Sequence, residues 1–147
     1  MAAAAPPVAS EEALARLRTA IMRLGRSLRA ASASEGLTPA QSGVLATLVR
    51  EGPLRAGDLA TAEALNPTML SRVLAHLEEA GLVVRAADPG DGRASRAAAT
   101  PAGRRLVGRL RARRGALLRA RLEALPADQV DALMAALPAL EALAGDR

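Results

Sequence analysis

The stretch Leu65–Thr100, LNPTMLSRVLAHLEEAGLVVRAADPGDGRASRAAAT, leaves this chain little freedom. Asn66 suits a helix N-cap, and Pro67 suits the first helical position, where a missing N–H costs nothing. Leu70, Val73, Leu74 and Leu77 then recur at i, i+3, i+4 and i+7, so one face of the helix is apolar. The free face carries Thr68, Met69, Ser71, Arg72, Ala75 and His76, which are mostly small or polar. Gly81 can take the left-handed position after the helix, which lets Leu82 fold back onto Leu77. The pattern predicts a short, sharply bounded helix with a face shaped for docking.

The residues that follow change period. Leu82 to Ala87 is apolar and β-branched in its middle, as a strand requires, and Asp88-Pro-Gly-Asp-Gly92 is turn chemistry. Arg93 stands at the exit of the turn, and Ala94 to Ala99 can return as a second strand. Alanine is a poor strand former, so this return strand is expected to be short or irregular. A helix followed by a two-stranded ribbon with Arg at its tip outlines a winged helix-turn-helix.

The flanks read as helices. Ser10-Glu11-Glu12 is a cap with two acids at the positive end of a helix. Leu14, Leu17, Ile21, Leu24 and Leu28 follow at the 3-4 spacing of a packed helix pair, up to Gly36. Thr38-Pro39-Ala40-Gln41 is a capping box that starts a second helix, with Val44, Leu45, Leu48 and Val49 inward and Gly52-Pro53 as its stop. Ala56 to Ala64 is a short helix with Leu59 and Ala60 inward, and the break at Ala64 to Asn66 is the turn of the motif.

Thr100-Pro101 repeats the cap signature for a long helix to about Ala124. Leu106, Leu110 and Leu117 form one stripe of it, and Val107, Leu118, Leu122 and Leu125 a second. Pro126 opens a last helix with Val130, Leu133, Met134, Leu137 and Leu140 inward, and Pro138 is expected to kink it. Apolar stripes that 147 residues cannot bury argue for a homodimer; the alternative is a monomeric six-helix bundle.

Charge and composition narrow the function. Among the 147 residues there are 20 Arg and no Lys, no Cys and no aromatic residue, and the net charge is +5. Disulfides and thiolate metal sites are therefore excluded. Residues 85–121 hold eleven Arg against Asp88 and Asp91 alone, while residues 122–147 hold one Arg against five acids. Basic charge gathered in and just after the ribbon suits a polyanion, or else forms a solvated helical face. One His without Cys makes no metal site, and no phosphate loop or paired-acid motif points to an enzyme or a cofactor. No signal peptide or membrane span is evident, so a cytoplasmic chain is expected.

From Leu37 to Val107 the sequence resembles the MarR family of bacterial transcriptional regulators. The likeness rests on Leu37-Thr38-x-x-Gln41, Asp58-Leu59-Ala60 and Thr68-Met69-Leu70-Ser71-Arg72-Val73. It continues through Leu77-Glu78-Glu79-x-Gly81-Leu82-Val83, Asp88-Pro89-x-Asp91-x-Arg93 and Thr100-x-x-Gly103-Arg104. Gly92 departs from it, standing where a basic residue often precedes the wing-tip Arg.

The resemblance implies a mainly α fold with a small two- to three-stranded β-wing. Residues 1–10 would be a disordered tail, 11–37 and 101–147 a helical dimerisation region, and 38–100 a winged helix-turn-helix. It further implies a homodimer on palindromic (inverted-repeat) promoter DNA, usually repressing and released by a small-molecule effector.

On that reading the first turns of the helix after Asn66 enter the major groove. Pro67, Thr68, Met69, Ser71 and Arg72 then lie where base edges are read, with Arg72 able to grip guanine O6 and N7. The alternative for Arg72 is an ion pair with a nearby acid. Asp91 is placed to hold Arg93 in one orientation for the minor groove, unless the two form only a surface salt bridge. Arg96 and Arg55 are expected at phosphates, and His76 at the groove rim. A competing function is an architectural DNA binder with little sequence preference, suggested by the Arg-heavy segment.

Overall fold

The computed structural model of the chain describes residues 10–31 and 35–145, with Arg93 described by its backbone alone. Its elements are α1 (Glu11–Ala30), α2 (Pro39–Glu51), β1 (Leu54–Arg55), α3 (Ala56–Ala62) and α4 (Pro67–Glu79). After them come β2 (Val83–Asp88), β3 (Asp91–Ala99), α5 (Pro101–Glu123), α6 (Ala127–Ala135) and α7 (Leu137–Ala144). Of the expected N-terminal tail only Ser10 is among the described residues, and its hydroxyl caps α1 by accepting the Ala13 N–H. The first helix ends at Ala30, short of Gly36.

The boundaries around the helix-turn-helix follow from the caps. At the start of α2, the Gln41 N–H donates to Thr38 Oγ1 and the Thr38 N–H donates to Gln41 Oε1 at 2.8 Å. Asn66 Oδ1 accepts the Met69 N–H at 2.8 Å to open α4. Between α3 and α4 the chain turns at Ala64, whose φ of 51° is rare for a residue with a Cβ. At the far end of α4, Gly81 adopts φ +71°. Its N–H donates to the Glu78 carbonyl and that of Leu82 to the Leu77 carbonyl, both at 2.9 Å.

The three strands are antiparallel in the order β1-β3-β2. Leu54 is opposite Ala97 and Arg55 opposite Arg96 on one side of β3, while Val83 is opposite Ala99 and Ala86 opposite Arg96 on the other. The alanine-rich return strand is expected to be short or irregular; at nine residues it is the longest of the three. Its position explains the difference. As the central strand it is hydrogen-bonded on both sides, and Ala97 and Ala99 are buried, so packing overrides propensity. An irregularity remains, because the register slips between Ala87 and Asp88 next to the turn.

One core sits between α2, α3, α4, the sheet and the first half of α5. Val44, Leu45, Leu48, Leu59, Leu70, Leu74 and Leu77 meet Val83, Ala97, Ala99, Leu106, Val107 and Leu110 there. Gly103 lets α5 begin against the sheet. A Cβ at this position would stand 2.3 Å from the Leu82 carbonyl oxygen and 3.0 Å from Leu45 Cδ1.

The outer helices are a different matter. Neither α1, α6 nor α7 buries a residue, and Leu17, Ile21, Leu133, Met134, Leu137 and Leu140 are exposed. The inward face expected for the last helix is therefore not buried by any of the described residues. Pro138 also does more than kink that helix: the helix ends at Ala135 and restarts at Leu137, with Pro138 at the new N-terminus. A proline there needs no N–H partner, so a fresh start costs less than a bend. No helix among the described residues is long and apolar enough to cross a membrane.

Candidate nucleic-acid interface

The outward face of α4 follows directly from its sequence. Burial of Leu70, Val73, Leu74 and Leu77 leaves Pro67, Thr68, Met69, Ser71, Arg72 and His76 all exposed. An open groove of about 600 Å³ runs along this face, lined by Thr68, Met69, Arg72 and His76 together with Asn66 and Gln41. The Arg72 guanidinium, foreseen either as a base reader or as half of an ion pair, has no side-chain partner among the described residues. It stands on the docking face with its donors unspent.

The ribbon places the remaining expected residues. Asp91 opens β3 beside the turn and acts on Arg55 by charge at longer range. Arg93 lies in β3 between the turn and Arg96, but its side chain is outside what the structure describes, so its pairing with Asp91 is not visible. Arg55 and Arg96, expected at phosphates, converge on Asp88.

Asp88 was legible only as a turn residue, yet the base of the wing is built on it. Its carboxylate is fully buried while both guanidiniums are part-exposed. Oδ1 accepts the Gly90 N–H at 2.9 Å, and Oδ2 accepts the Arg55 Nε–H and lies 3.0 Å from Arg96 Nε. The Arg96 pairing is one of charge, since its buried Nε–H is not aligned for a hydrogen bond. The Gly90 amide, then Arg96 and Arg55, hold the Asp88 carboxyl well below the usual range, at about 2. Its signal in the sequence was the Asp-x-Gly turn, where an Asp side chain accepts the amide two residues on. The Arg55 contact spans 33 positions and had no local signal.

A second contact joins the ribbon to α4. Arg85 Nε on β2 lies 2.6 Å from Glu78 Oε1 in the last turn of α4. Below it, Thr100 Oγ1 donates to the Gly81 carbonyl at 2.7 Å and accepts the Gly103 N–H, so one hydroxyl closes α4 and caps α5. Helix, ribbon and long helix are thereby fixed to one another.

A helix with an unspent polar face, flanked by a three-stranded ribbon rich in Arg, defines a winged helix-turn-helix DNA-binding protein. Residues 35–94 match the model of the MarR family. A helix-turn-helix-type transcriptional regulator of Mycobacterium bovis is 36% identical over 127 residues, covering 86% of this chain and 89% of that protein. A putative transcriptional regulator of Pseudomonas aeruginosa superposes with a TM-score of 0.81 at 32% identity, covering 97% of this chain and 100% of that one. The structure of RV1404 from Mycobacterium tuberculosis gives 0.79 at 27% identity, covering 94% and 98%. The chain belongs to the MarR family of helix-turn-helix transcriptional regulators, a family of regulators rather than enzymes.

Proposed function

We propose that this protein is a homodimeric repressor that acts in the cytoplasm on an inverted repeat in promoter DNA. The observation that carries the reading is the exposed face of α4, on which Arg72 has no side-chain partner among the described residues. Pro67, Thr68, Met69, Ser71 and Arg72 enter the major groove, and Arg72 reads a guanine through two N–H donors. Arg93, oriented by Asp91, takes the minor groove beyond the ribbon, while Arg55, Arg96 and His76 lie along the backbone. Residues 38–100 form the DNA-binding unit, and 11–37 with 101–147 form the dimerisation region. The exposed leucines of α1, α6 and α7 support that division.

An effector fits the same scheme. A cavity of about 410 Å³ opens where α1, α2 and α5 meet, with Leu28, Leu37 and Ala46 giving apolar walls and Arg29 and Arg114 giving positive charge. A small apolar acid bound there sits between the dimer helices and the DNA-binding unit, where it biases their relative angle.

The test is binding of the purified protein to its own upstream intergenic DNA and to a random duplex, each at two salt concentrations. Selective binding to half-sites about one helical turn apart is expected. Arg72→Ala is then expected to cost about tenfold on the operator and far less on random DNA, the size of one lost bidentate contact. The architectural reading is favoured by Arg105, Arg111, Arg119 and Arg121, exposed on α5 with no side-chain partner among the described residues. It predicts equal loss on both duplexes.

A further inference from the structure

Arg55 and Arg96 are Cα partners in the β1–β3 ladder, so their side chains leave the same face of the sheet. Leu54 and Ala97, the next pair along, point to the core face; Arg55 and Arg96 therefore project from the opposite one. Asp88 meets both through the Nε edge of each guanidinium. Each Arg has two Nη nitrogens besides, and neither side chain has another partner among the described residues. The side chains are 46% and 41% exposed. Arg55 is thus hydrogen-bonded at one edge and Arg96 held there by charge, and both guanidiniums are open at the other.

We propose that Asp88 is a positioning residue that makes Arg55 and Arg96 a single two-guanidinium seat for one DNA backbone phosphate. The inference rests on the DNA-binding reading above. A guanidinium is a planar fork that matches phosphate oxygens, but a long side chain loses freedom when it binds. Anchoring both forks on a buried carboxylate removes that freedom before DNA arrives. Asp58 and Asp91 act on Arg55 only by charge at longer range, and neither forms an ion pair with it. The Gly90 amide holds the other carboxylate oxygen, so the anchor itself is fixed by the turn.

The two roles open to Asp88 predict opposite signs. If it only offsets positive charge, Asp88→Asn adds a unit of net positive charge and DNA binds tighter. If it positions the pair, Asp88→Asn binds DNA more weakly despite the added charge. The experiment measures affinity at pH 7 over a range of salt concentrations, using a duplex enriched from a random library by the wild-type protein. Thermal unfolding and molecular mass of each variant are recorded alongside.

For Asp88→Asn, affinity is expected to fall about tenfold, and the slope of log affinity against log salt to fall by about 1 per half-site. Arg55→Ala with Arg96→Ala is expected to lose as much, and adding Asp88→Asn to that pair to change nothing further. Arg55→Lys with Arg96→Lys keeps the charge but not the fork, and is expected to weaken binding with Asp88 intact. That variant carries the test if Asp88→Asn does not fold. Unchanged or tighter binding by Asp88→Asn, or full affinity of the double Lys variant, overturns the inference while the regulator reading stands. A wild-type protein that enriches no duplex overturns both.

Discussion

Single residues in this protein often serve two elements at once. Asp88 is held at about 2 because the charged form has three partners, Gly90, Arg96 and Arg55, that the unfolded chain lacks. A depressed carboxylate stabilises the fold fully above its unfolded value near 4, and that contribution is lost as pH falls to about 2. Stability of the wild type is therefore expected to drop through this window, and Asp88→Asn to show a smaller drop, measured by denaturant unfolding at stepped pH. Gly103 gives a second prediction. Alanine is favoured in a helix interior by about 1 kcal/mol, but an extra methyl in a packed site costs roughly 1–3 kcal/mol. The atom it would meet at 2.3 Å is a backbone carbonyl, which cannot rotate away, so the cost wins. Gly103→Ala is expected to lower the unfolding midpoint in a thermal melt.

At the scale of elements, legibility depended on how local the determining chemistry is. The caps at Ser10, Thr38, Asn66 and Thr100 join residues three apart, and each was readable from its own few letters. The stop at Gly81 was readable for the same reason. Strand β1 was not: two residues, Leu54 and Arg55, become a strand only because β3 lies beside them, more than forty positions on. The length of β3 was misjudged because its alanines are set by two neighbouring strands and the core rather than by propensity. The exposed face of α4 could be listed in advance, whereas the Asp88 cluster could not, since Asp88, Arg55 and Arg96 stand on three different strands. A local determinant also makes a local prediction. Asn66→Ala removes the Met69 N–H partner at the start of α4 and is expected to cost about 1 kcal/mol in unfolding free energy.

The whole molecule is one packed core with an uncovered periphery. Residues 35–110 close on themselves, while α1, α6, α7 and the second half of α5 present Leu14, Leu17, Ile21, Leu118, Leu133 and Leu137 to solvent. Burying such side chains is worth about 1.5–3 kcal/mol each, a strong drive for a second copy to cover them. The purified protein is expected to sediment at twice 15.1 kDa. Ile21→Glu, at a site with no core role, is expected to shift it toward 15.1 kDa with helicity kept. A dimer of unchanged mass would count against these helices as the interface. The junction at Thr100 and Gly103 then acquires a mechanical meaning. The hydroxyl that closes α4 also begins α5, and the Arg104 guanidinium ties the same joint to the Ala99 carbonyl at 2.7 Å. Through these three hydrogen bonds α5 is tied directly to the end of α4 and to β3. Its 23 residues make an arm of about 34 Å, so a tilt of about 5° swings one end by about 3 Å. That is close to the rise of one base pair, the scale on which the effector proposed above would act.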